Sequence, residues 1–495
     1  MRITLLQIPW SDLSARDFKN VSRKYALYPP IGLLYLASFL ERHGHEADVL
    51  DLEMLPQTQE ELLGNIASAK PDLIGITATT PIVDRVQEYA GFLKERLRLP
   101  IVVGGPHITA LRERALAADF DFGVAGEGEQ TLLELMDAMT AAKEFTRIAG
   151  LIYRDGSRII ANPPRPLLDE LDRLPFPARH KLDMRQYAFE VPGRGVIPVA
   201  TMELTRGCPF QCVFCSEWLS TGKKLRKRSV ANVLEEIRQV RNDFGIDHFF
   251  MLDSTLTVDR KLIEDFCRIL IDQKCGITFE GQTRPDLIDE PLLLLMQEAG
   301  LNRLNFGLES SNLRVLTLIK KQVRPEAARE AFRLCKKLGI STLCGTMMGN
   351  PGDTRETILE TARFVRSIPE IRYSPMAIAM PYPGTELLSM AQKGMHGLRL
   401  LETDFKKYSR YAGGVMEVNG MKPEELIKLQ RRALFIMHST PSKMFGLIRH
   451  FGLRNCIQIG LRMIWSEIVT RLGGREPVLQ NIARENTTLQ NLRKG

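Results

Sequence analysis

Apolar and polar positions follow two periods along the first 142 residues. Short apolar runs at 3–8, 47–52 (Ala-Asp-Val-Leu-Asp-Leu), 72–77 (Asp-Leu-Ile-Gly-Ile-Thr), 101–105 (Ile-Val-Val-Gly-Gly) and 122–126 read as strands. Between them, residues 32–43, 58–69, 84–97, 109–117 and 129–141 carry apolar side chains at helical spacing. Strands alternating with amphipathic helices predict an α/β domain over 1–142, a doubly wound, Rossmann-like parallel sheet. Ligands of such sheets lie beyond the carboxyl ends of the strands. Those ends carry Thr77, Thr79 and Thr80, then Gly104-Gly105-Pro106-His107, then Gly126-Glu127-Gly128-Glu129. Small residues there let a flat ligand approach the backbone closely.

Residues 150–162 read as a hairpin turned at Asp155-Gly156, and Pro163, Pro164, Pro166, Pro175 and Pro177 mark a linker, so 143–197 is expected to connect two domains. From about 198 the alternation resumes. Strands are expected at 199–206, 248–253, 278–283, 303–309, 342–348 and 373–380, and helices at 230–244, 259–273, 290–299, 325–338 and 354–368. Residues 386–495 are expected to form a mainly helical C-terminal domain.

Three cysteines, Cys208, Cys212 and Cys215, stand in Thr-Arg-Gly-Cys-Pro-Phe-Gln-Cys-Val-Phe-Cys. Cysteines this close on one loop commonly ligate a metal or a redox cluster. C-x3-C-x2-C supplies three thiolates, whereas a 4Fe–4S cluster has four irons, so one iron is left open to a ligand. This stretch, with Phe214 before the third cysteine, resembles the radical S-adenosylmethionine (SAM) superfamily. The six strand–helix units that follow are similar to that family's partial (β/α)6 TIM-type barrel, whose chemistry is expected at the carboxyl-terminal face. The α/β domain ahead of the barrel, with its two strand-end motifs, resembles the cobalamin-binding members, over about residues 1–385.

The resemblance implies three cofactors: a 4Fe–4S cluster on the cysteines, SAM in the barrel and cobalamin on the first domain. Thr77, Thr79, Gly104, Gly105, His107, Glu127, Gly128 and Glu129 are the residues expected at cobalamin. Asp253, Arg284, Glu309 and Gly349 are those expected at SAM. Arg284 could instead pair with Asp286, and the Gly345-to-Gly352 stretch also reads as an ordinary Gly/Pro turn. No Asp-x-His-x-x-Gly is present, so cobalt is expected without a protein histidine, with His107 fixing backbone or touching the cofactor's edge. The implied reaction is radical methylation of an unactivated carbon in a small-molecule substrate, drawing electrons from an external donor such as flavodoxin or ferredoxin. The alternative within the resemblance is an oxidative cyclase or ring-rearranging enzyme without methyl transfer.

Composition adds limits. Of 495 residues, 44% are hydrophobic and 25% charged, ordinary for a soluble protein of two or three domains. The formal charge of +8 is modest. With no recognisable nucleic-acid module, no nucleic-acid partner is expected. The basic run Lys223, Lys224, Arg226, Lys227 and Arg228 reads as a solvated loop. Cys267, Cys275, Cys335, Cys344 and Cys456 are scattered, which argues for reduced thiols rather than a disulfide framework. No signal peptide or membrane-spanning stretch is visible, and a cytoplasmic protein is expected. Residues 443–472 mix Met444, Phe445, Leu447, Ile448, Phe451 and Trp465 with Lys443, Arg449, Arg454 and Arg462. That pattern suits either a helix packed on the barrel or one lying on the inner face of a membrane, and it favours a lipid-like or polycyclic substrate.

Overall fold

The computed structural model describes residues 1–10, 28–408 and 414–451. The first sheet is built from β1 (Arg2–Gln7), α1 (Ile31–Arg42), β2 (Glu46–Asp51), α2 (Gln59–Ala69), β3 (Leu73–Thr77), α3 (Val83–Leu97), β4 (Ile101–Gly104), α4 (Pro106–Leu111), β5 (Phe122–Val124) and α5 (Glu129–Thr140). The strands run parallel in the order β2-β1-β3-β4-β5, which is the flavodoxin-like doubly wound arrangement. Leu33, Leu34, Leu132 and Met136 of α1 and α5 bury one face. Leu62, Ile66, Val86 and Leu93 of α2 and α3 bury the other. The segment expected as one helix over 109–117 instead starts at Pro106, a residue pre-set for a helical first turn, and breaks at Arg112, where φ is +53°.

The hairpin β6 (Leu151–Asp155) and β7 (Arg158–Ala161) is not a free connector. It adds antiparallel to β5 and extends the sheet to seven strands. A second hairpin, β8 (Ala188–Val191) and β9 (Gly195–Pro198), lies inside the stretch read as linker. It buries Phe189 and Val191, and its carbonyls take hydrogen bonds from Asn302 (to Pro192, 3.1 Å) and Arg303 (to Glu190, 2.8 Å). Because Asn302 and Arg303 open a barrel strand, this hairpin closes the amino-terminal end of the barrel.

The barrel elements are β10 (Ala200–Met202), β11 (Thr205–Arg206), α6 (Glu217–Thr221), β12 (Arg226–Lys227), α7 (Val230–Phe244), β13 (His248–Met251), α8 (Arg260–Asp272), β14 (Thr278–Thr283), α9 (Glu290–Glu298), β15 (Leu301–Glu309), α10 (Leu313–Leu318), α11 (Pro325–Lys337), β16 (Ser341–Met348), α12 (Arg355–Arg366) and β17 (Met376–Ile378). β10-β13-β14-β15-β16-β17 form a six-stranded, all-parallel sheet. Helix starts follow from their caps: the side chains of Ser229, Asp259, Asp289 and Thr354 each accept from a backbone N–H in the first turn of α7, α8, α9 and α12, about 1 kcal/mol apiece. Strand residues alternate between the helix layer and the barrel interior. Phe279 and Phe306 pack edge-on against Phe266 of α8 and Phe332 of α11 (5.9 and 5.3 Å between ring centres). Glu280, Arg303 and Asn305 therefore face the other way, inward.

Beyond 385 the chain is not helical alone. α13 (Glu386–Gln392), the hairpin β18 (Leu398–Leu400) and β19 (Met416–Val418), and α14 (Pro423–His438) pack Leu387, Leu398, Val418, Leu426 and Ala433 onto the barrel core. A second unit begins at His438, and its described helix, α15 (Pro441–Phe451), holds the start of the 443–472 stretch. The rest of that stretch lies outside the described residues, as does Cys456. Among the described residues no helix is long and apolar enough to cross a membrane.

Candidate functional site

The cysteine loop leaves β11 at the carboxyl-terminal end of the barrel. Gly207 takes φ +94°, and a Cβ there would stand 2.3 Å from the carbonyl oxygen of Lys224, so only glycine lets the chain turn. The loop is then tied down by backbone bonds: Cys208 N–H to Gly222 O (3.2 Å), Cys215 N–H to Cys212 O (3.1 Å), Val213 N–H to Ile319 O (3.1 Å), and Leu387 N–H to Val213 O (2.9 Å). All three thiols are half-buried. Burial pushes the Cys215 thiol up to about 11, with Cys212 and Cys208 adding to it. Burial also raises Cys212, against Lys321 and with Glu309 and Cys208. The raised thiols of Cys212 and Cys215 need bound cations to become thiolates. Among the described residues no three His, Cys, Asp or Glu side chains converge on a single ion. Three thiols on one loop fit three irons of a 4Fe–4S cluster, with a fourth iron left without a protein ligand.

Around the cysteines stand the ends of the strands. Glu309 closes β15 at φ +63°, just after a register shift against β16. A non-glycine residue held in that region at a strand tip is strained, a feature of binding sites. Its Oε1 lies 3.1 Å from Lys321 Nζ, both side chains mostly buried. A Cβ on Gly307 would fall 2.6 Å from Glu309 Oε1 and 2.8 Å from Lys321 Nζ, so glycine makes room for the pair. Gly345 pairs with Gly307 in register and widens the same part of the interior. Gly349 turns at φ +76° into Asn350 and Asp353, both fully enclosed, with Asn350 N–H donating to Asp353 Oδ2 (2.9 Å).

Two residues expected at SAM have other partners. Asp253 is buried and accepts from Leu204 N–H (3.1 Å), Thr205 N–H (2.7 Å) and Thr205 Oγ1–H (2.6 Å). Its burial raises it to about 6 even against these bonds. It clamps the chain entering the cysteine loop. Arg284 makes a two-pronged pair with Asp286 (3.0 and 2.8 Å), and its guanidinium lies over the Phe210 ring, between Cys208 and Cys212, at 4.0 Å. Of the two readings held open for Arg284, the Asp286 pair is the one present. Phe210 and Lys321 carried no local signal beyond their position, one within the motif and one in a pair of lysines.

On the first domain, Gly105 takes φ +102°, and a Cβ would stand 2.7 Å from Ala78 O and 3.0 Å from Thr77 Oγ1. The β3 and β4 tips are therefore flush. Thr79 Oγ1 is buried without a hydrogen-bond partner among the described residues. Flush strand tips beside an orphaned hydroxyl fit a large flat cofactor. His107 is 3% exposed, bonds Thr80 Oγ1 through Nδ1 (3.1 Å) and meets Phe405 edge-on at 5.0 Å. Burial lowers it to about 4, so its imidazole is neutral.

At the fifth strand tip, the carboxylates of Glu127 and Glu129 turn to the barrel. Arg206 Nη1 lies 2.9 Å from Glu129 Oε1 and 3.3 Å from Glu127 Oε1, and Arg206 Nε is 3.1 Å from Glu203 Oε2. Arg226 Nη1 holds both oxygens of Glu127 (2.8 and 2.9 Å). Gly128 lies between the two glutamates at the head of α5, packed on Leu36. The basic run is corrected: Arg226 and Arg228 are 3% and 5% exposed, and Arg228 pairs with the buried Glu236. Guanidinium groups enter a protein interior when carboxylates meet them there.

A doubly wound sheet joined to an open six-stranded barrel, with three thiols at the barrel's carboxyl end, defines a radical SAM enzyme. A radical SAM superfamily model matches residues 202–365, and a B12-binding-domain model matches residues 21–136. An uncharacterized methyltransferase of Pyrococcus horikoshii is 32% identical over 428 residues, covering 86% of this chain and 91% of that protein. The anaerobic magnesium-protoporphyrin IX monomethyl ester cyclase of Rubrivivax gelatinosus is 29% identical over 413 residues, 81% of this chain and 72% of the cyclase. The solved radical SAM methyltransferase TsrM of Kitasatospora setae, with cobalamin and a [4Fe-4S] cluster bound, shares the fold at a TM-score of 0.67 and 17% identity, over 92% of this chain and 88% of that one. The chain belongs to the cobalamin-binding radical SAM family.

Proposed function

We propose that the protein transfers a methyl group, by way of cobalamin, to an unactivated carbon of a hydrophobic or polycyclic small molecule. The observation that carries this reading is the ionic joint through which the carboxyl edge of the first sheet grips the segment leading into Cys208. It holds the two cofactor-bearing faces together. The Pyrococcus relative and the TsrM structure are both named as methyltransferases. When bound, the cluster would supply the electron that cleaves SAM, and cobalamin would carry the methyl group.

Cys208, Cys212 and Cys215 would hold three irons. Glu309, paired with Lys321, would accept hydrogen bonds from SAM, and Gly345 and Gly349 would keep the neighbouring wall flat. Asp253 and Arg284 would act through the cysteine loop, as positioning residues. Thr77, Thr79, Gly104, Gly105 and Gly128 would bear cobalamin, with His107 at its edge and not on cobalt. Electrons would come from flavodoxin or ferredoxin in the cytoplasm. Contact with a membrane surface would involve residues 443–472.

A second reading, oxidative cyclisation without methyl transfer, draws on the Rubrivivax cyclase. With methyl-deuterated SAM, the methylation reading expects a deuterated methyl group in the product and one S-adenosylhomocysteine per 5′-deoxyadenosine. An altered product with 5′-deoxyadenosine but no S-adenosylhomocysteine sinks it in favour of the cyclase.

A further inference from the structure

Glu127 and Glu129 lie at the same edge of the first sheet as Thr77, Thr79 and Gly105, yet their carboxylates reach Arg206 and Arg226. The joint is dry. Arg206, Arg226 and Glu129 are 9%, 3% and 9% exposed, and the Arg206 guanidinium is backed by the Tyr35 ring at 4.9 Å. Leu168 N–H adds a bond to Glu127 Oε2 (2.9 Å). Removing Arg206 takes the arginine from Glu129, and removing Glu127 takes the carboxylate from Arg226, so each loss strands a mostly buried charge.

Its position gives it leverage. Arg206 pairs in register with Arg226 across β11 and β12, and only Gly207 separates it from Cys208. The turn packs closely, since a Cβ on Gly207 would stand 2.3 Å from Lys224 O, and Cys208 N–H bonds Gly222 O (3.2 Å). Asp253 clamps the residues just before Arg206. Displacing the β5–α5 loop must therefore displace Cys208, and the reverse holds equally.

We propose that Glu127 and Glu129 are positioning residues that couple the two cofactor sites, so that a bound cluster strengthens cobalamin binding and bound cobalamin strengthens cluster binding. This rests on the assignment of cobalamin to the first domain and the cluster to the cysteines. Coupling between two sites is reciprocal, and a joint of this kind is expected to be worth about fivefold or more in affinity.

The test titrates the full chain with hydroxocobalamin anaerobically, followed by absorbance, once with the cluster reconstituted and once after the iron is chelated away. In the wild type, affinity should be at least about fivefold higher with the cluster. Glu127→Gln/Glu129→Gln keeps size and acceptor oxygens but removes both charges. It should hold the same iron and lose the dependence, to within about twofold. Arg206→Lys, which keeps the charge but not the fork, should fall between. Glu129→Gln alone, which leaves Glu127 on both arginines, is the second variant should the double one lose iron, and its dependence should also be reduced. Equal affinity with and without the cluster in the wild type, or an undiminished ratio in the variants, overturns the coupling while leaving the cofactor assignment standing. No hydroxocobalamin binding in either state would instead overturn the assignment, and the coupling with it.

Discussion

Glu280 offers a test in which competing electrostatic effects predict opposite signs. It faces the barrel interior from β14 with no exposed surface, and neither carboxylate oxygen has a hydrogen-bond donor among the described residues. Arg303 Nε stands 3.2 Å from Oε2, yet burial outweighs that attraction and raises the carboxyl from 4.5 to about 7. The folded protein therefore holds this proton more tightly than the unfolded chain. Its contribution to stability is full below about pH 4.5 and is lost as pH rises through about 7. At about 1.4 kcal/mol per unit, ionising Glu280 costs the fold up to ~3 kcal/mol at alkaline pH, an upper bound because Arg303 is partly solvated. Glu280→Gln has the same shape and never ionises, and Arg303 keeps its bond to Glu190 O. The variant should unfold above the wild type by a small margin near pH 5.5, where the loss has only begun, and by several degrees near pH 8.5, by scanning calorimetry of the full chain. Asp253 and Asp353, also raised to about 6 by burial, titrate in both proteins and cancel in the difference. A variant less stable than the wild type by more at pH 8.5 than at pH 5.5 would refute the reasoning. The ion pair would then be worth more than its burial costs.

Other expectations follow from the site itself. Replacing Cys208, Cys212 and Cys215 together by Ala should abolish bound iron, sulfide and 5′-deoxyadenosine formation; equal iron in the triple variant would contradict the assignment of the cluster. Glu309→Gln keeps one acceptor but loses the charge held by Lys321, and should weaken SAM binding about tenfold at unchanged iron content, as the loss of one charge-assisted hydrogen bond implies. In the cob(II)alamin state, spin resonance should show no nitrogen superhyperfine splitting from the protein, and His107→Ala should leave the spectrum unchanged. Splitting that vanishes in the variant would place His107 on cobalt.

Elements governed by local pattern were legible from the sequence. β14 and α7 have the bounds expected, 278–283 and 230–244, because alternation places Phe279 toward the helices and Ser229 caps the helix. The cysteine motif was legible for the same reason: all three ligands and their turn glycine lie within nine residues, Gly207 to Cys215. The hairpin β8–β9 falls in the stretch that reads as linker; of its two prolines, Pro192 sits in the turn and Pro198 at the strand end. In neither place does a strand need the proline's missing N–H.

What local pattern could not convey is where charged side chains go. Glu127 and Glu129 have small neighbours at a strand tip, and by that context alone they belong to a ligand. Arg226 and Arg228 stand in a basic run, and by context alone they belong to solvent. Glu129 and Glu127 meet partners 77 and 99 residues away, Arg206 and Arg226, and Arg228 meets Glu236 of α7. A buried charge is permitted only by a counter-charge, and that requirement is met by whichever segments the fold brings together. A cysteine cluster close in sequence could therefore be read from spacing, while charge pairs between distant segments could not. If the ionic joint holds the cysteine loop, a chain with intact cysteines but an altered partner at Glu127 should still bind iron while presenting it differently to the first domain.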